Sequence, residues 1–226
     1  MRSAFFQQPL EYQIEVEGES WEQGEVVKGL LRVRNMSSEA VSVKTPQIIL
    51  AHGLKKEIKE AAEVPWEVVV KQVATQEISL QAAGEQTFEW SFILPTDSPI
   101  TDKQGGLYLL FGGEEALTIG GRINLQINLH PILQNFLQTF TTQFRFLEKY
   151  QKRKSEWTEI KLIPPESREF PNMDYVYCFL RIRDEQLEAH YRFKMSGLGR
   201  TGEKMTVTKK DRELEQSIPP ENFLQP

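Results

Sequence analysis

Residues 88–94 read Phe88-Glu89-Trp90-Ser91-Phe92-Ile93-Leu94, with a large apolar side chain at every second position. Successive side chains of an extended strand point to opposite faces, so Phe88, Trp90, Phe92 and Leu94 share one dry face. A helix would divide them between two sides. The same period recurs outward from this stretch. Tyr12, Ile14 and Val16 alternate with Gln13 and Glu15, and Val27, Gly29, Leu31 and Val33 are interleaved with Lys28, Arg32 and Arg34. Val41 and Val43, Ile48 to Leu50, Ile78 and Leu80, Leu107 to Phe111, and Ile123, Leu125, Ile127 and Leu129 complete the set. Glu17-Gly18-Glu19, Ala83-Gly84-Glu85, Gly112-Gly113 and Gly120-Gly121 separate them as turns. About seven or eight short strands in this span predict an immunoglobulin-like β-sandwich. Its core is expected to hold Phe88, Trp90 and Phe92, opposed by Leu31, Val33, Leu125 and Ile127.

The period changes at Pro131. Ile132, Leu133, Phe136, Leu137, Phe140, Phe144 and Leu147 fall on one face of a helix, and Pro131 suits its first turn. The pattern predicts an amphipathic helix over 131–150, with Lys149, Lys152, Arg153 and Lys154 crowding its C-terminal end, where cations complement the dipole. Strands return over Trp157 to Ile163, Tyr175 to Arg183 and Leu187 to Met195, with Asp184-Glu185 as a hairpin turn and Met205 to Thr208 as a further strand. The residues from Glu213 on, with Pro219-Pro220, read as a loose tail. The organisation expected is a sandwich over 1–130, a smaller second β-domain over 131–215 and a flexible tail over 216–226.

Composition narrows the function classes. The 226 residues are 39% hydrophobic and 26% charged, which suits a folded chain of one large or two small domains. Residues 1–130 carry 11 Lys/Arg against 18 Asp/Glu, and residues 131–226 carry 16 against 14. Neither half has the basic excess of a nucleic-acid binder. No apolar run approaches the ~18 residues of a membrane helix. The N-terminus turns polar before a signal-peptide core forms. The expectation is a soluble cytoplasmic protein, with membrane association at most peripheral.

No motif carries a reaction. Gly197-Leu198-Gly199-Arg200-Thr201-Gly202 spells a dinucleotide fingerprint, but the strand-like Lys204 to Thr208 follows where a helix is needed. Glu203 also stands where a phosphate loop needs its lysine, so the segment reads as a flexible connection. The lone Cys178 lies in an alternating strand with no histidine near it in sequence, and reads as a half-buried structural residue. His52, His130 and His190 lack metal-ligand spacing. No cofactor, metal or catalytic residue is expected. Lys149, Lys152, Arg153 and Lys154 are the candidate partner-binding residues, weighed against a solvated helix end. Charge reversal at Lys152, Arg153 and Lys154 is expected to leave stability nearly unchanged, and to lower partner affinity only if that helix end is part of the contact.

Three segments resemble the arrestin-like superfamily, in particular the bacterial sporulation-control proteins. Gly24-Glu25-Val26-Val27-Lys28-Gly29-Leu30-Leu31-Arg32-Val33 is similar to the family's second strand. Trp90-Ser91-Phe92-Ile93-Leu94-Pro95-Thr96-Asp97-Ser98-Pro99-Ile100-Thr101 resembles its strand-end and turn, and Asn128-Leu129-His130-Pro131-Ile132-Leu133 its His-Pro entry into a helix. The chain departs from the family at Gly112-Gly113-Glu114-Glu115-Ala116, in place of an aspartate-containing segment. The resemblance implies two β-sandwich domains and a non-enzymatic regulatory or scaffolding role with protein partners. Edge strands, sandwich surfaces and the groove between domains would be the contact sites. The alternative is a carbohydrate- or small-ligand-binding sandwich, for which Trp21 and Trp66 are the loop-proximal residues. A structural subunit of a larger complex is a third reading.

Overall fold

The alternation at residues 88–94 lies in the last strand of a four-stranded antiparallel sheet. The computed structural model describes residues 1–43, 45–60, 64–73, 78–183, 186–201 and 204–219. Contacts divide the chain into two units, Met1–Asn128 and Leu129–Pro226.

The first unit contains β1 (Arg2–Gln7), β2 (Leu10–Val16), β3 (Trp21–Glu22), β4 (Val26–Asn35), β5 (Val41–Val43), β6 (Gln47–Leu54), β7 (Glu67–Val73), β8 (Ile78–Leu80), β9 (Glu85–Ile93), β10 (Gly105–Gly112), β11 (Gly121–Asn124) and β12 (Ile127–Asn128), with a short helix α1 (Lys55–Glu60). One sheet has the order β1-β2-β4-β9 and the other β11-β10-β6-β7, while β3 pairs with β12 and β5 with β8. Tyr12, Ile14, Leu31, Val33, Trp90 and Phe92 from the first sheet share one core with Ile48, Leu50, Leu107, Leu109 and Phe111 from the second. All eleven are 4% exposed or less. This is the expected sandwich, with one correction. Leu31 and Val33 do not oppose β9: they sit beside it in the same sheet, with Leu31 opposite Phe88 and Val33 opposite Gln86 in register. Alternation assigns a residue to a face, whereas strand pairing decides which sheet the face belongs to. Leu125 and Ile127 do join the core.

Gly29 is where β4 admits no side chain. A Cβ there would stand 1.9 Å from the Glu15 carbonyl oxygen and 2.9 Å from the Trp90 ring. The indole of Trp90 therefore lies over bare backbone. The opposite face of the second sheet is covered too. Ile49, Ala51, Tyr108 and Leu110 are buried there with Ala116, under Ile58 of α1, Trp66 and Leu117. Burial on both faces explains why β6 and β10 read as continuous apolar runs, Ile48 to Ala51 and Leu107 to Phe111.

The second unit begins with α2 (Pro131–Gln138), extended by a π-helical turn over Thr139–Gln143. His130 caps it, its Nδ1 accepting the Ile132 N–H at 3.2 Å, and Leu133 and Leu137 are buried. Five strands follow as an antiparallel meander: β13 (Leu147–Lys154), β14 (Trp157–Ile163), β15 (Met173–Arg183), β16 (Gln186–Thr201) and β17 (Lys204–Ile218). Ile160, Leu162, Val176, Cys178, Leu180, Leu187, Ala189 and Tyr191 form its dry face. Phe136 and Phe140 of the helical segment lie 6.5 and 6.2 Å from the Tyr191 ring.

Three expectations are corrected in this unit. The helix does not run to residue 150. Its π turn shifts the phase of the apolar stripe, Arg145 takes a φ of +56°, and Phe144 and Leu147 are exposed. Lys149, Lys152, Arg153 and Lys154 therefore lie on β13, not at a helix end. Nor is 216–218 tail: Gln216, Ser217 and Ile218 pair with Ala189, Glu188 and Leu187, while residues 220–226 lie outside the described residues. The segment Gly197–Thr201 of the glycine motif is extended strand in β16, with Gly202 outside the described residues. Asp184 and Glu185 also lie outside them, and Arg183 pairs with Gln186 on either side.

Candidate partner-binding face

Alternation in the meander divides each strand between two faces, and the second face is as aromatic as the first. Register aligns Lys152 with Glu159, Glu159 with Phe179, Phe179 with His190 and His190 with Glu215. One step along, Tyr150, Lys161, Tyr177, Arg192 and Glu213 form a second row. Tyr175, Tyr177, Phe179 and Arg181 thus stand opposite in sense to Val176, Cys178 and Leu180 on β15.

Cations lie over these rings. Lys161 Nζ is 3.7 Å from the Tyr175 ring centre and 5.4 Å from that of Tyr177. The Arg181 guanidinium is 4.2 Å from the Trp157 ring, and Lys154 Nζ is 4.9 Å from that of Phe179. Such contacts contribute about 0.5–1 kcal/mol at exposed sites and more when desolvated. Arg181 also donates to Glu188 at 2.6 Å and to Glu156 at 2.5 Å.

Glu159 is the pivot of the β13 end of this face. Its side chain is only 6% exposed, yet it is charged and surrounded by donors. The Tyr150 hydroxyl donates at 2.7 Å, and Lys152 and Lys154 reach it at 3.0 and 3.2 Å. Burial works to raise the Glu159 carboxyl, and the hydrogen bonds from Tyr150, Lys152 and Lys154 outweigh it, leaving the group below the ordinary carboxylate value. Burial and the adjacent carboxylate push the Tyr150 phenol up.

The four cations singled out in the sequence therefore separate. Lys152 and Lys154 neutralise Glu159. Arg153 turns from them, and its Nε donates to the Ser155 carbonyl at 3.0 Å. Lys149 is exposed. Sequence reasoning missed Tyr150, Glu159 and the ring–cation ladder. A signal existed in the aromatic period at Tyr175, Tyr177 and Phe179, set between apolar residues of the other period.

The remaining candidates lie elsewhere. Cys178 is fully buried between Ile160 and Tyr191, and burial pushes its thiol up to about 12. Trp21 is buried in the core of the first unit, whereas Trp66 lines a cavity. Among the described residues no three His, Cys, Asp or Glu side chains gather as a metal site. No helix among them is long and apolar enough to cross a membrane.

The architecture is mainly β, built from several antiparallel sheets and two short helices. The solved structure of Spo0M, a sporulation control protein from Bacillus subtilis, shares it with a TM-score of 0.64, covering 90% of this chain and 91% of that one. The two sequences are 16% identical, so the likeness is one of fold. No family model and no curated protein matches the chain.

Proposed function

We propose that this chain is a non-enzymatic regulatory adaptor of the arrestin-like kind, acting in the cytoplasm by holding protein partners. One observation carries the reading. Strand β13 has a single neighbour, β14, among the described residues, and its sequence from Leu147 to Lys154 carries four cations against one carboxylate. An edge strand presents backbone N–H and C=O groups that another extended chain can pair with. Lys152 and Lys154 are taken up by Glu159, so exposed Lys149 is the charge that favours an acidic segment. The adjoining face supplies half-buried Tyr150, Trp157, Tyr175 and Tyr177, the residue types that dominate binding energy at interfaces. The regulatory part of the reading is supported by the fold shared with a sporulation control protein.

The test is affinity purification from the native host at low salt, comparing the full chain, its Lys149→Glu variant and residues 1–128. A partner retained by the full chain, weakened by Lys149→Glu and not held by residues 1–128 supports the adaptor reading at β13. Equal retention by residues 1–128 overturns it, since the site would then lie in the first sandwich alone.

A further inference from the structure

The first unit holds a feature that the adaptor reading does not use. The outer face of the β11-β10-β6-β7 sheet is roofed incompletely. Between α1 and the segment Gly113–Gly120 a cavity of about 450 Å³ remains. Ile58, Trp66, Leu110, Leu117, Ile119 and Arg122 are among the residues that line it. Pockets of this size suit small molecules of largely apolar surface held by a few polar groups.

The position of Arg122 gives the polar end. Leu110 and Arg122 are cross-strand partners, so the guanidinium leaves the sheet on the side of the cavity floor. Arg122 is exposed, and no carboxylate among the described residues forms an ion pair with it. Its field reaches the neighbouring Tyr108 phenol, where it opposes the upward push of burial. The Trp66 ring of the lining meets the Tyr108 ring edge to face at 5.3 Å. Ile119 stands 52% exposed at the mouth. The site therefore combines aliphatic and aromatic side chains with one cation that forms no ion pair among the described residues.

We propose that this cavity binds an amphipathic monocarboxylate, an unbranched aliphatic acid of medium chain length. Its chain lies among Ile58, Trp66, Leu110, Leu117 and Ile119, and its carboxylate meets Arg122. A planar guanidinium matches a carboxylate with two parallel hydrogen bonds. A single cation balances one negative charge, which disfavours nucleotides and other polyanions. A neutral alcohol of the same length fills the same walls without meeting the guanidinium.

Isothermal titration of the full chain with octanoate, and separately with 1-octanol, tests the assignment. Octanoate binds saturably at one site. Arg122→Gln weakens octanoate by about tenfold, the effect of losing one charged contact, and leaves 1-octanol within about twofold. Ile119→Trp, a change at an exposed position, fills the mouth and weakens both ligands, and circular dichroism verifies that it folds. Absence of saturable octanoate binding to the wild type overturns the site. Binding insensitive to both Ile119→Trp and Leu117→Trp places the ligand elsewhere and overturns it equally. Equal loss of octanoate and 1-octanol in Arg122→Gln overturns the carboxylate assignment. None of these outcomes bears on the β13 edge, which belongs to the other unit.

Discussion

Tyr150 donates its phenolic hydrogen to the buried Glu159 carboxylate at 2.7 Å, across the hairpin joining β13 to β14. This bond stands where the apolar periodicity predicts the last turn of a helix. It ties the edge strand to its neighbour and, with Lys152 and Lys154, makes burial of a full negative charge tolerable. The basic run is thus partly structural, and this changes what its substitution does.

Charge reversal distinguishes the roles within the run. Lys152→Glu with Lys154→Glu places two further carboxylates beside Glu159, and the second unit loses on the order of 3–5 kcal/mol, as when a buried ion pair is broken. Lys149→Glu, at an exposed position, stays within about 0.5 kcal/mol of the wild type. Urea unfolding of the three proteins checks this. Unchanged stability of the double variant would return Lys152 and Lys154 to the role of free surface charges.

Glu159 also sets an acid limb. A carboxyl held below its ordinary value contributes stability that is fully present above the unfolded-state value. That contribution is lost as pH falls through the folded-state value. Glu159→Gln lowers stability at pH 7 by roughly 1.5–3 kcal/mol, the range for hydrogen bonds to a charged group, and the difference shrinks as pH falls through the lowered folded-state value of Glu159. Urea midpoints at neutral and acid pH measure it, and parallel curves would rule out the depressed carboxyl.

Trp90 tests the first sandwich. It is 3% exposed and its ring centre lies 5.7 Å from that of Phe92. Trp90→Ala costs on the order of 3–5 kcal/mol in chemical denaturation. A cost below ~1 kcal/mol would mean that β9 does not present this face to the core.

Gly29 tests the close approach of β2 and β4. A methyl group at this position meets the Glu15 carbonyl and the Trp90 ring, so Gly29→Ala forces the sheet apart and lowers stability by at least about 1–3 kcal/mol. Thermal unfolding of Gly29→Ala beside Gly197→Ala, where the nearest atom is 3.4 Å away, separates this clash from the general effect of adding a methyl group.

Cys178 remains unmodified in the folded protein. Its thiol is buried and pushed up to about 12, so almost none is thiolate at pH 8. Iodoacetamide adds no mass to the native chain and one carbamidomethyl group after denaturation. Labelling of the native protein at the rate of a free thiol would contradict the packing of β15.

Strands β2, β4 and β9 are legible because one face of each is wet: Glu15, Arg32 and Glu89 stand between Ile14, Leu31 and Trp90, and the period declares itself. The start of α2 is legible for a similarly local reason, since Pro131 and the apolar stripe behind it agree. Strand β7 is not legible, because Val68, Val69 and Val70 form a run without period, interrupted by a bulge opposite Leu50 and Ala51. The cavity beside Trp66 is illegible in sequence, as its walls come from α1, β10 and the residues before β11. The ring–cation ladder was half legible: the period of Tyr175, Tyr177 and Phe179 is in the chain, but the partners above them come from β13, β14 and β16.

The amino-acid sequence by itself determined that the chain is mainly β, where its strands alternate, and that a helix begins at Pro131. These follow from interactions between residues close in the chain, where side-chain period and backbone geometry decide the outcome. Tertiary structure alone decided the fate of residues 144–154. Their apolar and charged residues are compatible with a helix end or an edge strand, and neither preference is strong. Pairing with β14 supplies a ladder of backbone hydrogen bonds, and it brings Tyr150, Lys152 and Lys154 to a carboxylate that would otherwise be buried without partners. That gain arises only between strands, so no reading of residues 144–154 in isolation contains it.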